Sequence, residues 1–115
     1  MEEEQVFQGI KLKYLKEKEN NYGSNHFLEI LDIEPLAELM KFKDEDMMLP
    51  FWEYNERFYL KTNDHKIGEF QRKKLKENAL YLMDLTFKTY DFQKGDKRLM
   101  GISINKIDNL FKNNI

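Results

Sequence analysis

Apolar and polar residues alternate with a period of two along most of the chain, the signature of half-buried strands. In 6–16, Ile10, Leu12 and Tyr14 alternate with Lys11 and Lys13, which predicts one apolar and one basic face. Residues 17–25 are polar, and Asn20-Asn21 and Gly23-Ser24 mark a long turn. A second strand is expected over 27–33, where Leu28 and Ile30 oppose Phe27, Glu29 and Leu31. Apolar residues on both of its faces suit a central position.

Residues 35–43 read two ways. Pro35 at a first helical position, with Leu36, Leu39 and Met40 behind it, fits a short helix. Leu36, Met40 and Phe42 against Lys41 and Lys43 fit a strand equally well, with Pro35 at a bulge or edge. We adopt the strand. Asp44-Glu45-Asp46 then turns the chain, and 47–62 returns as an aromatic-rich strand or two short strands around Pro50. Over 63–78, Ile67, Phe70 and Leu75 have helical spacing among Arg72, Lys73, Lys74 and Lys76, with Asn63 or Asp64 as cap and Gly68 weakening the interior. A hairpin closes the chain. Its first strand, 80–92, sets Tyr81, Met83, Leu85 and Phe87 against Asp84, Thr86, Lys88 and Tyr90. After a loop at 93–97 with a glycine suited to positive φ, 99–107 turns Met100, Ile102 and Ile104 inward.

Three strand regions, a short helix and a hairpin are the parts of an all-β, five-stranded Greek-key barrel of the OB type, its helix between the third and fourth strands. The 115 residues make one domain, 1–115, with 1–5 and 111–115 expected to fray. Cysteine is absent, the N-terminus is acidic where a secretory signal would be basic and then apolar, and no apolar run approaches a bilayer's width. A soluble, cytoplasmic protein is expected.

Charge changes the picture more than composition does. The net charge is only −2, yet residues 1–57 carry 7 Lys/Arg against 14 Asp/Glu and residues 58–115 carry 12 against 7. A basic face on a mildly acidic molecule is therefore available to a polyanion. Aromatics reach 14%. Rings interleaved with cations are what single strands require, since bases stack on aromatic faces while Lys and Arg track the phosphates. The densest set is Phe51-Trp52-Glu53-Tyr54 followed by Arg57-Phe58-Tyr59-Leu60-Lys61, where alternation turns Phe58 and Leu60 inward, Tyr59 and Lys61 outward, and gives Trp52 and Tyr54 a common face. The same rings would equally serve as the core of a small β-domain.

Catalytic constellations are missing. His26 and His65 have no ligand-spaced partner, and there is no nucleophile elbow, phosphate loop or dinucleotide fingerprint. Asp44-Glu45-Asp46 fits an acidic turn better than a cation site, because nothing positions a second ligand group. No enzyme, metal or cofactor is expected.

The hairpin, Tyr81-Leu82-Met83-Asp84-Leu85-Thr86-Phe87-Lys88-Thr89-Tyr90, Lys94-Gly95-Asp96 and Leu99-Met100-Gly101-Ile102-Ser103-Ile104-Asn105-Lys106-Ile107, resembles the closing strands of small phage single-stranded DNA-binding proteins with OB folds. Residues 26–42 resemble that class's paired strands, and the size, lack of cysteine and Lys/Asn/Ile-rich composition are similar to its short lactococcal-phage type. The likeness is one of pattern over about two thirds of the chain and includes no diagnostic motif. It implies sequence-independent binding of single-stranded DNA in replication or recombination, by a homodimer or higher homo-oligomer, with replication or recombination proteins as further partners. The chain departs from the cellular pattern in ending Phe111-Lys112-Asn113-Asn114-Ile115 rather than in an acidic tail, which puts tail-mediated recruitment in doubt.

On this reading bases stack on Trp52, Tyr54, Tyr59, Tyr90 and Tyr14, and phosphates pair with Lys11, Lys13, Lys61, Lys88, Lys94, Lys97 and Arg98. The competing reading is a small β-domain, such as a phage inhibitor or accessory factor, that binds a protein through its acidic half, with the rings as core or anchors.

Overall fold

The longest strand is β1 (Glu2–Asn20), and everything else is arranged around it. The computed structural model describes residues 2–21, 23–37, 51–63, 75–93 and 96–109. The other strands are β2 (Gly23–Ile30), β3 (Phe51–Tyr54), β4 (Arg57–Asn63), β5 (Leu80–Gln93) and β6 (Asp96–Asn109). They form one antiparallel sheet in the order β3-β4-β2-β1-β5-β6. The first half of β1 pairs with β5, from Glu2 opposite Tyr90 to Lys13 opposite Leu80, and its second half pairs with β2.

The sheet curls into a half-barrel. Its inner side buries Ile10, Leu12, Leu28, Leu60, Met83, Leu85 and Ile102. Two contacts measure the curl. Phe51 of β3 meets Phe87 of β5 edge to face at 6.1 Å, although three strands lie between them in the sheet. Thr62 Oγ1 of β4 donates to the carbonyl of Ile102 in β6 at 3.0 Å. Apolar residues on one face of a flat sheet would remain wet; curling lets that face cover itself.

Two β-bulges in β1 supply the bend, as extra residues increase local twist. One lies between Phe7 and Ile10, where Gly9 adopts φ 63° and its N–H donates to Asp84 Oδ1 at 2.9 Å. A Cβ at Gly9 would meet nothing within 4 Å, so substitution is opposed by the backbone alone. Gly9→Ala is therefore expected to lower stability by about 1–2 kcal/mol, the cost of a left-handed residue with a side chain, as measured by urea unfolding. The second bulge, at Leu15, is held from the β5 side: Tyr14 N–H donates to Ala79 O at 3.0 Å and Asn78 N–H to Tyr14 O at 2.7 Å.

The all-β architecture agrees with the expectation, and several details correct it. Among the described residues the sheet has six strands rather than five. The aromatic stretch breaks at Asn55-Glu56, because both residues take positive φ (52° and 63°) and form a two-residue hairpin turn. The expected long turn at 17–25 is a tight one, with Asn20 opposite Gly23. Its polar residues extend the ladder because backbone pairing does not need apolar side chains. Glu2–Gln5, expected to fray, pair with Phe87–Tyr90. Glu34–Ala37 make one 3₁₀ turn rather than the start of a strand, and this plugs Leu36 into the core. The rest of the 35–43 question, the acidic turn at 44–46, Pro50, residues 64–74 of the expected helix, His65 and the tail at 110–115 lie outside the described residues. No helix among the described residues is long and apolar enough to cross a membrane.

Candidate nucleic-acid interface

The outer side of the half-barrel is built by register. Trp52 of β3 stands opposite Tyr59 of β4, Tyr59 opposite Glu29 of β2, and Glu29 opposite Lys13 of β1. In the next row Lys61 of β4 faces Phe27 of β2, and Phe27 faces Lys16 of β1. Directly opposite side chains on one face of an antiparallel ladder are neighbours, so these rows place rings and ammonium groups side by side.

The rings touch. Trp52 stacks on Tyr59 with centroids 5.8 Å apart and planes 21° from parallel, and Phe27 meets the Trp52 ring edge on at 6.3 Å. Lys16 Nζ lies 5.6 Å from the centre of the Phe27 ring, within cation–π range. Leu15, Lys16, Phe27, Trp52, Tyr54 and Tyr59 line an open pocket of about 400 Å³ whose wall is mostly apolar. Tyr54 is the accessible ring, 59% exposed, whereas Trp52 is only 8% exposed because its neighbours cover it.

The one carboxylate within these rows faces a cation. Glu29 Oε2 lies 4.0 Å from Arg57 Nε, and its side chain is largely covered. Lysines dominate what remains. Along β1 the outward positions are Glu2, Glu4 and Val6 before the first bulge, Lys11 and Lys13 between the bulges, and Lys16 and Lys18 after the second. Each bulge shifts the inward-outward phase by one residue.

The expected site residues therefore fall into distinct groups. Trp52, Tyr54, Tyr59, Lys61, Lys13 and Lys11 share the outer face of β1, β2, β4 and β3. Tyr14 does not belong with them, which corrects the expectation that it offers a stacking face. It is 4% exposed, points into the barrel, and its hydroxyl lies 2.7 Å from Nδ1 of buried His26. Lys88 and Tyr90 sit at the opposite end of β1, beside Glu4 and Glu2, and Lys88 Nζ approaches Glu4 Oε1 at 3.5 Å. Lys88 lies six positions along β5 from Leu82, the partner of Lys11, or about 20 Å of strand. Lys94 is outside the described residues; Lys97 and Arg98 are described only as backbone positions opposite Asp91 and Tyr90. Among the described residues no group of three or more His, Cys, Asp or Glu could hold a metal ion.

Sequence reasoning missed Phe27, Lys16 and Lys18. Strict alternation from Lys11 and Lys13 assigns the outer face to Leu15, Glu17 and Glu19 instead. The adjacent pair Tyr14-Leu15 inside an alternating run was the signal of the bulge. Neither family models, curated proteins nor solved structures contain a match to this chain.

Proposed function

We propose that the chain binds single-stranded DNA without sequence preference, across the outer face of β1, β2, β4 and β3. One observation carries the reading: an open, mostly apolar pocket walled by Phe27, Trp52, Tyr54 and Tyr59 adjoins Lys13, Lys16 and Lys61 on one sheet face. Unpaired bases expose flat apolar surfaces next to a charged backbone, whereas a duplex keeps those surfaces stacked inside. Protein interfaces are also rich in Tyr, Trp and Phe, but they are depleted in lysine. The lysines at this pocket therefore favour a polyanion over the competing protein partner.

The strand order supports an OB-type reading of the half-barrel. With β3 set aside as an added edge strand, β4-β2-β1-β5-β6 leaves β4 and β6 facing one another across the gap, as in a partly open five-stranded Greek-key barrel. In such barrels the face of the second and third strands binds oligonucleotides. Those strands correspond to β2 and β4, which carry Phe27, Tyr59 and Lys61. A homo-oligomeric protein of phage replication or recombination is the part of the proposal that rests on the sequence resemblance, whereas a cytoplasmic location and the lack of catalytic activity rest on composition and missing motifs.

The test is a gel shift with labelled oligo-dT at low salt, with Trp52 emission followed in parallel. Binding at or below about 10 µM protein that weakens steeply with salt, with a change in tryptophan emission, is the expected result. No shift at about 100 µM, the weak end of non-specific binding, would remove the reading.

A further inference from the structure

We propose that the phosphates of the bound strand run along β1, over Lys11, Lys13, Lys16 and Lys18, and that the bulge at Leu15 exists to keep this row on one face. The inference deepens the reading above and rests on it.

The four lysines occupy successive outward positions only because one residue is inserted at Leu15. With regular pairing, the outward series after Lys11 and Lys13 would be Leu15, Glu17, Glu19, and the positive row would end in carboxylates. With the bulge, Lys16 stands opposite Phe27 and Lys18 opposite Asn25, while Glu17 and Glu19 turn to the other face, opposite His26 and Ser24. The end of the β1–β2 ladder is thus positive on one side and negative on the other, with no net charge across its four residues. Lys11, Lys16 and Lys18 are exposed and Lys13 is half-buried, so the row is reachable.

The N-terminal end and one flank of the track are defined. Toward the N-terminus the outward face of β1 passes to Val6 and then Glu4 and Glu2, and Lys88 is engaged by Glu4 there. From Lys11 to Lys18 the row covers about 20 Å of strand. The rings lie to one side only, on β2, β4 and β3. A strand laid along β1 can therefore keep its phosphates on the lysines and direct its bases toward Phe27 and Tyr54.

The test exchanges the two faces without changing composition: K16E, E17K, K18E and E19K together. Oligo-dT affinity is read against salt, with folding checked by circular dichroism and melting. Four lysine contacts predict a slope of log K against log salt of about −2.8 for the unaltered chain, falling to about −1.4 in the exchanged chain, with affinity at low salt down by about tenfold or more. The milder pair K16Q and K18Q must move affinity and slope in the same direction, and it decides the matter should the exchanged chain fail to fold. If the unaltered chain binds and the folded variants bind equally well with the same slope, the track is overturned while the binding reading stands. If the unaltered chain does not bind, both fall.

Discussion

Phe87→Ala is expected to lower folding stability by about 3–5 kcal/mol, the range for emptying a buried aromatic site. Phe87 is almost fully buried on β5 and joins parts of the sheet that sequence order keeps apart. Its ring meets Phe7 of β1 edge on at 5.6 Å and Phe51 of β3 at 6.1 Å. The contact with Phe51 crosses the interior of the half-barrel, so its loss opens a cavity where β3 and β5 close on one another. Such a cavity cannot collapse cheaply, because both rings are carried by laddered backbone. A domain of this size holds about 5–15 kcal/mol of net stability, so the substitution should use a large part of it. At roughly 4 °C per kcal/mol the melting temperature falls by about 12–20 °C. The neighbouring Lys88→Ala is the control: its ion pair with Glu4 is solvent-exposed and should contribute less than about 1 kcal/mol. A melting temperature for Phe87→Ala within a few degrees of the unaltered chain would mean that the sheet does not close through this ring.

How much of this was visible in the sequence depends on whether period two was kept. In β5 the alternation correctly placed Tyr81, Met83, Leu85 and Phe87 inside. In β2 it set Leu28 and Ile30 on one face, which proves to be the buried one, and β2 is central as its two-sided apolar pattern required. Strand pairing follows from side-chain phase, and phase is written in the residues. Strand count is not. The division of the aromatic stretch into β3 and β4 turns on two consecutive left-handed residues, Asn55 and Glu56, and glutamate is an uncommon choice there. The 3₁₀ turn holding Leu36 was hidden because Pro35 suits a helix start, a turn and an edge strand alike.

The site was half legible for a related reason. Residues after Asn55-Glu56 keep simple alternation, and Tyr59 and Lys61 face out as read. On β1 the same rule fails twice, at Gly9 and at Leu15, because each bulge inverts the faces that follow. Gly9 announces itself, since glycine within a strand is a common mark of a bulge. Leu15 is marked only by the adjacent apolar pair Tyr14-Leu15, and its bulge is enforced by tertiary bonds between the Tyr14 backbone and Asn78 and Ala79, which no local pattern records. Tyr14 was misassigned because a tyrosine suits either face. The buried partner His26, twelve residues away on β2, decides that its hydroxyl is satisfied inside.

The burial of Trp52 shifts the functional weight to a different ring. Tryptophan is the largest stacking surface in the chain, but Tyr59 covers one of its faces and Phe27 abuts it, so truncating it would disturb packing and binding together. Tyr54 separates the two. It ends β3 beside the Asn55-Glu56 turn, leans on the open pocket and leaves most of its ring in solvent. Tyr54→Ala is therefore expected to leave stability within about 0.5 kcal/mol, as for surface changes away from the core. Oligo-dT binding should lose about 1–3 kcal/mol, the worth of one stacked base, which is about 5–150-fold in affinity. Tyr54→Phe keeps the ring and should bind within about twofold of the unaltered chain, because stacking uses the π face and not the hydroxyl. Equal binding by all three chains would show that no base rests on this ring and would move the contact elsewhere on the face. Weak binding by Tyr54→Phe and Tyr54→Ala alike would assign the loss to the hydroxyl and so to a polar contact, which a sequence-independent stacking site does not need.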